Sequence, residues 1–194
     1  MSPVSAGLGQ FIFYAVFVVW LALTFFLEPI IIRKGREKAS TREDRGSALL
    51  IYFSVSVSVV AAFGFADAGI TPLPDWFFVV GVLLMLLGMF VREWAVITLR
   101  GFYSFRVRVL ADHKVVDSGP YRLVRHPAYS GSILTMMGVG FAVQSAAAVL
   151  LLLVFCGIGY GYRIRVEEAA LLKELGEEYS KYMGRTKRLI PFIL

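Results

Sequence analysis

The sequence predicts an all-α integral membrane protein with about five transmembrane helices, on three observations. Of its 194 residues, 58% are hydrophobic and only 18% charged, and the mean hydropathy is +0.70; a soluble domain carries about 25% charged and about 45–50% apolar residues. The apolar residues stand in runs, and a bilayer-spanning helix needs about 20 of them in succession. The basic residues are confined to alternate gaps between those runs.

Phe11 to Ile32 supplies the first span, interrupted only by Glu28 and Pro29 near its end. The second covers 47–66. The third starts at Trp76 and, extended by Trp94 to Ile97, covers 76–97. Between Pro127 and Tyr162 lies an uncharged stretch too long for one span, with Gln144 and Ser145 near its middle. It fits a helical hairpin with spans at 129–143 and 146–164, the first of them short at about 1.5 Å per residue. No internal repeat or low-complexity linker divides the chain, so residues 1–194 read as one domain.

Six lysines and arginines lie in residues 33–45, seven in 92–125 and seven in 163–188, which accounts for all 20. The N-terminus, the turn from Asp67 to Asp75 and the turn at Gln144 hold none. Under the positive-inside rule the N-terminus is expected outside, with the C-terminus and the polar segments in the cytoplasm. The first ten residues lack a basic n-region, so the first span reads as a retained helix. This distribution explains the net charge of +6 without nucleic acid. One cysteine, Cys156, inside an apolar run, excludes an internal disulfide and reads as a small buried hydrophobe. With only two histidines, His113 and His126, no His-rich metal site is expected.

Three groups of residues invite a chemical reading. Asp112 to Gly131 reads DHKVVDSGPYRLVRHPAYSG. Ser118-Gly119-Pro120-Tyr121 is a turn signal, and Pro127 disfavours helix for His126. The segment suits a backbone folded closely around a ligand. It suits equally a membrane-surface loop with Arg122 and Arg125 on lipid head groups and Tyr121 and Tyr129 in an interfacial belt. At the end of the fifth span stand Arg163, Arg165, Glu167 and Glu168. On a continuing helix Arg163 and Glu167 share a face, where a solvated pair is worth about 0.5 kcal/mol. These residues fit an ordinary helix start at the interface, or a charge facing the bundle and therefore functional. Arg92 and Glu93 are expected to snorkel to the interface. In Asp44-Arg45-Gly46-Ser47, Asp44 or Ser47 is expected to cap the second span.

The order of these pieces resembles the isoprenylcysteine carboxyl methyltransferases and related membrane methyltransferases. The resemblance rests on Gly119, Tyr121, Arg125-His126-Pro127, Tyr129 and Gly131, then Glu167-Glu168, Leu171, Gly176-Glu177-Glu178-Tyr179 and Tyr182. It closes on Arg188-Leu189-Ile190-Pro191-Phe192, and Asp44-Arg45-Gly46-Ser47 resembles a motif of many relatives. It covers the C-terminal half, with a weaker match before it. It implies a cytoplasmic pocket for S-adenosylmethionine built from segments 112–131 and 163–192 and capped by the tail. Cofactor positions would be His113, Val116, Gly119, Tyr121, His126, Pro127, Ala128, Tyr129 and Glu167. Arg163 and Glu168 would lie on the substrate side, with Arg163 and Glu167 carrying catalysis. No metal is implied.

The implied reaction is methyl transfer to the carboxylate of a membrane-associated, prenylcysteine-like amphiphile, either a small molecule or a lipidated protein C-terminus. By that resemblance eukaryotic relatives are expected to be longer, with additional spans, and the N-terminal helices would shape the lipid entrance. Phospholipid N-methylation is the nearest alternative, although an arginine beside a neutral amine would be unwelcome there. An NADPH-dependent membrane reductase and a non-enzymatic lipid-binding protein are further alternatives.

Overall fold

The computed structural model of the protein describes residues 3–24, 39–42, 46–99, 108–110 and 115–191. Among them are five helices: α1 (Pro3–Ala22), α2 (Ser47–Asp67), α3 (Trp76–Leu99), α4 (Pro127–Ala142) and α5 (Ala146–Arg185). A short antiparallel ribbon, β1 (Ala39–Arg42) with β2 (Arg108–Leu110), joins the two basic loops and is an addition to the all-α body. The expected second, third and fourth spans match α2, α3 and α4 to within two residues. The first helix begins earlier than expected, and the remainder of that span, 25–32, lies outside the described residues. The fifth span is the first part of a longer helix.

The helices are built for lipid. Leu49, Phe53 and Val60 on α2, Leu83 and Phe90 on α3, and Leu150 and Ile158 on α5 are all more than half exposed. The buried face of α2 carries Ser47, Ser54 and Ser58, and that of α4 carries Ser132 and Thr135. A water-soluble protein partitions these residue types the other way, whereas lipid exerts no hydrophobic force between helices and favours small or hydroxyl-bearing contacts. By length and composition α2, α3 and α5 can cross a membrane; the described apolar part of α1, Gly7–Ala22, is shorter. Helix α4, 16 residues long, spans only about 24 Å and is shielded by its neighbours.

Two glycines on each of α3 and α4 bring these helices together. A Cβ at Gly131 would sit 2.6 Å from the Gly88 carbonyl, and one at Gly138 would sit 2.6 Å from the Met85 nitrogen. Gly81 and Gly88 face this contact from α3, at the same seven-residue interval. Helix α2 packs on α5, where a Cβ at Gly159 would lie 3.5 Å from Ile51 and Ser54. The apolar core runs between these pairs through Met85, Met136, Val139, Leu152 and Cys156.

At one end of the bundle the α2–α3 and α4–α5 turns are laced together. Leu73 N–H donates to the Gln144 carbonyl (2.8 Å) and Ala146 N–H to the Thr71 carbonyl (3.0 Å). The Ser145 hydroxyl donates to the Ile70 carbonyl at 2.8 Å. At the opposite end α5 is broken at Gly176 (φ 52°, ψ −120°), and the limb beyond it folds back toward the loop before α4.

Candidate active site

The loop before α4 takes its shape from a few local rules. Gly119 has φ 55°, a left-handed conformation that glycine adopts without penalty, and it opens a 3-10 turn, Gly119–Arg122. Pro127 occupies the first helical position of α4, where its missing N–H is not needed. His126 is thereby held at the helix entry, 5% exposed, with its ring stacked on Tyr129 (centroids 5.5 Å apart, planes 10° apart).

The tail straps this loop. Arg125 N–H donates to the Lys187 carbonyl (2.8 Å) and His126 N–H to the Arg188 carbonyl (3.0 Å). The Ser130 hydroxyl donates to the Leu189 carbonyl at 2.6 Å. The returning limb adds Tyr182, whose hydroxyl donates to the Tyr121 carbonyl at 2.7 Å. Burial pushes the Tyr182 phenol up to about 12, so it remains a donor at any physiological pH.

Two carboxylates on α5 face this loop and behave differently. Glu168, beyond the apolar run ending near Ile164, is 4% exposed. It accepts from Arg125 Nε (2.9 Å) and Arg188 Nη2 (2.9 Å), and its Oε1 lies 3.3 Å from His126 Nε2. Burial alone would raise its pKa; the hydrogen bonds with His126, Arg188 and Arg125 outweigh this and lower it to about 2. Arg125 also donates to the carbonyls of Met183 and Thr186, so this cluster ties the loop, α5 and the tail together. Glu167 is the more open carboxylate, with 29% of its side chain exposed, and it accepts from the Tyr129 hydroxyl at 2.6 Å.

Arg163 settles which way the charge at the helix start faces: it is 2% exposed and points into the bundle. Its Nε donates to the Tyr129 hydroxyl (3.1 Å) and its Nη1 to the Ser47 hydroxyl (2.8 Å); Glu167 Oε2 lies 3.9 Å from Nε. A buried guanidinium is tolerated only when its donors are met, and charge-assisted bonds of this kind contribute about 1.5–3 kcal/mol each.

Arg163 closes the polar end of a cavity of about 310 Å³. The apolar walls come from Phe17 and Trp20 on α1, from Ile51, Val55 and Val59 on α2, and from Met136 on α4. Arg92, Tyr129 and Ser132 share the polar end with Arg163. The arrangement suits an amphiphile with a hydrocarbon chain and an anionic head.

Two sequence expectations are corrected here. Arg92 does not snorkel: it is 9% exposed and its Nη1 donates to the Ser132 hydroxyl at 2.6 Å. The close glycine contact between α3 and α4 turns that face inward, which apolar periodicity in a lipid-facing helix does not reveal. Ser47 is no cap: Gly46, left-handed at φ 75°, holds the N-cap position without a side-chain hydrogen bond, while Ser47 lies within the first turn and serves Arg163. Asp44 lies outside the described residues, as does His113. The remaining expected positions fall on one continuous stretch. Tyr121, His126, Pro127, Ala128 and Tyr129 are buried, and Val116 and Gly119 are half-buried. Gly119 lies against Thr98 and Trp94 of α3. Glu168 sits in the ion cluster and not in the cavity lining.

Residues 80–173 match the model of the isoprenylcysteine carboxyl methyltransferase (ICMT) family. A probable protein-S-isoprenylcysteine O-methyltransferase of Oryza sativa subsp. indica is 27% identical over 181 residues, covering 87% of this chain and 95% of the relative. The protein-S-isoprenylcysteine O-methyltransferase of Saccharomyces cerevisiae is 31% identical over 117 residues, 59% of this chain and 49% of the yeast protein. The solved structure of the eukaryotic intramembrane Ras methyltransferase ICMT superposes with a TM-score of 0.67 at 22% identity, over 94% of this chain and 67% of that one, a likeness of fold.

Proposed function

We propose that this chain, which matches the isoprenylcysteine carboxyl methyltransferase family model over residues 80–173, is a member of that family and methylates the carboxylate of a prenylcysteine-like amphiphile held in the bilayer, using S-adenosylmethionine. The observation that carries the reading is the buried Arg163 in the lining of a cavity whose walls are mainly apolar. A hydrocarbon chain lies favourably along Phe17, Ile51 and Val55, and its carboxylate meets Arg163. A neutral amine, the nucleophile of phospholipid N-methylation, gains nothing from a guanidinium.

The residues present fit S-adenosylmethionine. Glu167 is a partly exposed acceptor beside the loop, suited to the amino and hydroxyl donors of a cationic ligand. Val116, Gly119, Tyr121, His126, Pro127, Ala128 and Tyr129 belong to the loop and helix start from which Tyr129 donates to Glu167; His113, assigned to the cofactor by resemblance, lies outside the described residues. When bound, the cofactor supplies an electrophilic methyl group on a sulfonium. The chain's residues do the rest by placement. Arg163 orients the acceptor carboxylate, which is ionised at neutral pH and needs no general base. The apolar walls exclude water, and a low-dielectric surrounding favours a reaction in which opposite charges cancel. Tyr129 bridges Arg163 and Glu167, tying the acceptor side to the cofactor side.

Under the positive-inside rule the site opens on the cytoplasmic face, with the N-terminus outside. Calorimetric titration with S-adenosylhomocysteine, alongside turnover of N-acetyl-S-farnesylcysteine, tests the proposal. Glu167→Ala and His126→Ala are expected to weaken cofactor binding at least tenfold. Arg163→Ala is expected to lower turnover about a hundredfold, as loss of one partner of a buried charge pair does, with cofactor affinity preserved. Wild-type protein that binds no S-adenosylhomocysteine, or an Arg163→Ala variant that loses affinity instead of turnover, would overturn it.

A further inference from the structure

Ser47 and Arg163 are 116 positions apart in sequence and 2.8 Å apart in space. Both are essentially excluded from solvent, at 0% and 2% exposure. Ser47 is the first residue of α2, and the left-handed Gly46 before it turns the chain so that the serine enters the bundle. Gly46 holds the N-cap position, and the Ser47 hydroxyl accepts from Arg163 Nη1.

We infer that Ser47 is a positioning residue: it fixes the plane of the Arg163 guanidinium and so sets the acceptor-binding geometry from the start of α2. This rests on the assignment of Arg163 to the acceptor carboxylate. A guanidinium is planar, so two fixed nitrogens define its orientation. Tyr129 holds Nε and Ser47 holds Nη1, and these anchors come from two different helices, α4 and α2. Loss of the Ser47 hydroxyl removes the anchor that α2 supplies to Nη1. Helix α2 then has a second role, because Ala48, Ile51, Val55 and Val59, along the same helix, line the cavity wall. The wall that receives the hydrocarbon chain and the hydroxyl that sets the arginine are therefore parts of one rigid element. A chain seated against α2 is registered to Arg163 through Ser47, and an acceptor without one is not.

The inference is tested with the full-length protein in detergent, using Ser47→Ala, Ser47→Thr and, as a control on the same helix, Ser54→Ala; Ser54 is also buried, at 2% exposure. Turnover of N-acetyl-S-farnesylcysteine, S-adenosylhomocysteine affinity and the Arg163 Nε–H nuclear magnetic resonance signal are measured, the signal being assigned by its loss in Arg163→Lys. Ser47→Ala is expected to lower kcat at least tenfold, leave cofactor affinity within twofold and shift or broaden the Arg163 signal. Ser47→Thr is expected to recover most of the rate, and Ser54→Ala to change neither readout. An unchanged Arg163 signal in Ser47→Ala would overturn the inference, as would equal losses in Ser47→Ala and Ser54→Ala. Wild-type protein inactive on prenylcysteines overturns the methyltransferase reading instead, and the resonance readout still decides the role of Ser47.

Discussion

Arg163 and Glu168 stand five positions apart on α5, both charged and both buried, yet their surroundings assign them different work. Arg163 is met by two hydroxyls at the end of a cavity; Glu168 is enclosed by two arginines and a histidine. Glu168→Gln keeps the shape of the cluster and removes its charge, leaving Arg125 buried without its counterion. Breaking such a pair costs about 3–5 kcal/mol, so the thermal transition in detergent should fall by many degrees. The pH dependence has a definite sign. Because the folded-state pKa of Glu168 is lowered from 4.5 to about 2, its contribution is complete above about 4.5 and is lost as the pH falls toward 2. Acid unfolding of wild type over that window should be blunted in Glu168→Gln, and parallel acid curves for the two would contradict this. At this scale the sequence is only partly legible. The sequence singles out the loop, Arg163 and the paired glutamates as candidates, with their roles implied by resemblance, but it does not give the rotation of a helix about its axis. That rotation alone turns Arg92 from an interface residue into a cavity residue, and Ser47 from a cap into a partner of Arg163.

Whole helices are more legible, since a bilayer leaves few solutions: α2, α3 and α4 lie where apolar runs and turn residues put them. The two glycine pairs show how much of the packing is backbone against backbone. Gly88→Ala places a Cβ within 2.6 Å of the Gly131 carbonyl, with rigid backbone on the other side. Overpacking of this kind costs about 1–3 kcal/mol or more, and separation of α3 from α4 should also disturb Arg92 and Ser132. Gly176→Ala is a different case. Nothing lies within 4 Å of the added carbon, so only the left-handed φ of 52° is penalised. The cost of holding alanine in so sparsely populated a conformation should be about 1–3 kcal/mol. Because the limb after Gly176 carries Tyr182 to the Tyr121 carbonyl, cofactor affinity should drop more than the melting temperature. Unchanged S-adenosylhomocysteine affinity in Gly176→Ala would contradict this. The ribbon of β1 and β2 left no mark in the sequence because strands of four and three residues are too short to establish a period-two pattern.

For the molecule as a whole, small and hydroxyl-bearing residues share the interior with Met85, Val139 and Leu152, while many leucines, valines and phenylalanines face outward. The charge asymmetry then predicts sidedness. Cysteines introduced at Asp67 and at Glu177 should label from opposite faces of sealed vesicles, the first from outside and the second from the cytoplasmic side. The native Cys156, buried at 1% exposure, contributes little background. Labelling of both from one face would overturn the orientation.

The laced turns at 70–75 and 144–146 bear on how the protein is made. Helix α4 is too short to settle in a bilayer by itself, and its partner surface on α3 is synthesised before it. The α2–α3 hairpin is therefore expected to act as a template for residues 127–164, with the glycine contact and the bonds of Gln144 and Ser145 to the 70–75 turn closing the assembly. Because the laced turns lie at the end opposite the proposed site, a defect there should reduce the yield of inserted protein without altering the activity of the molecules that form.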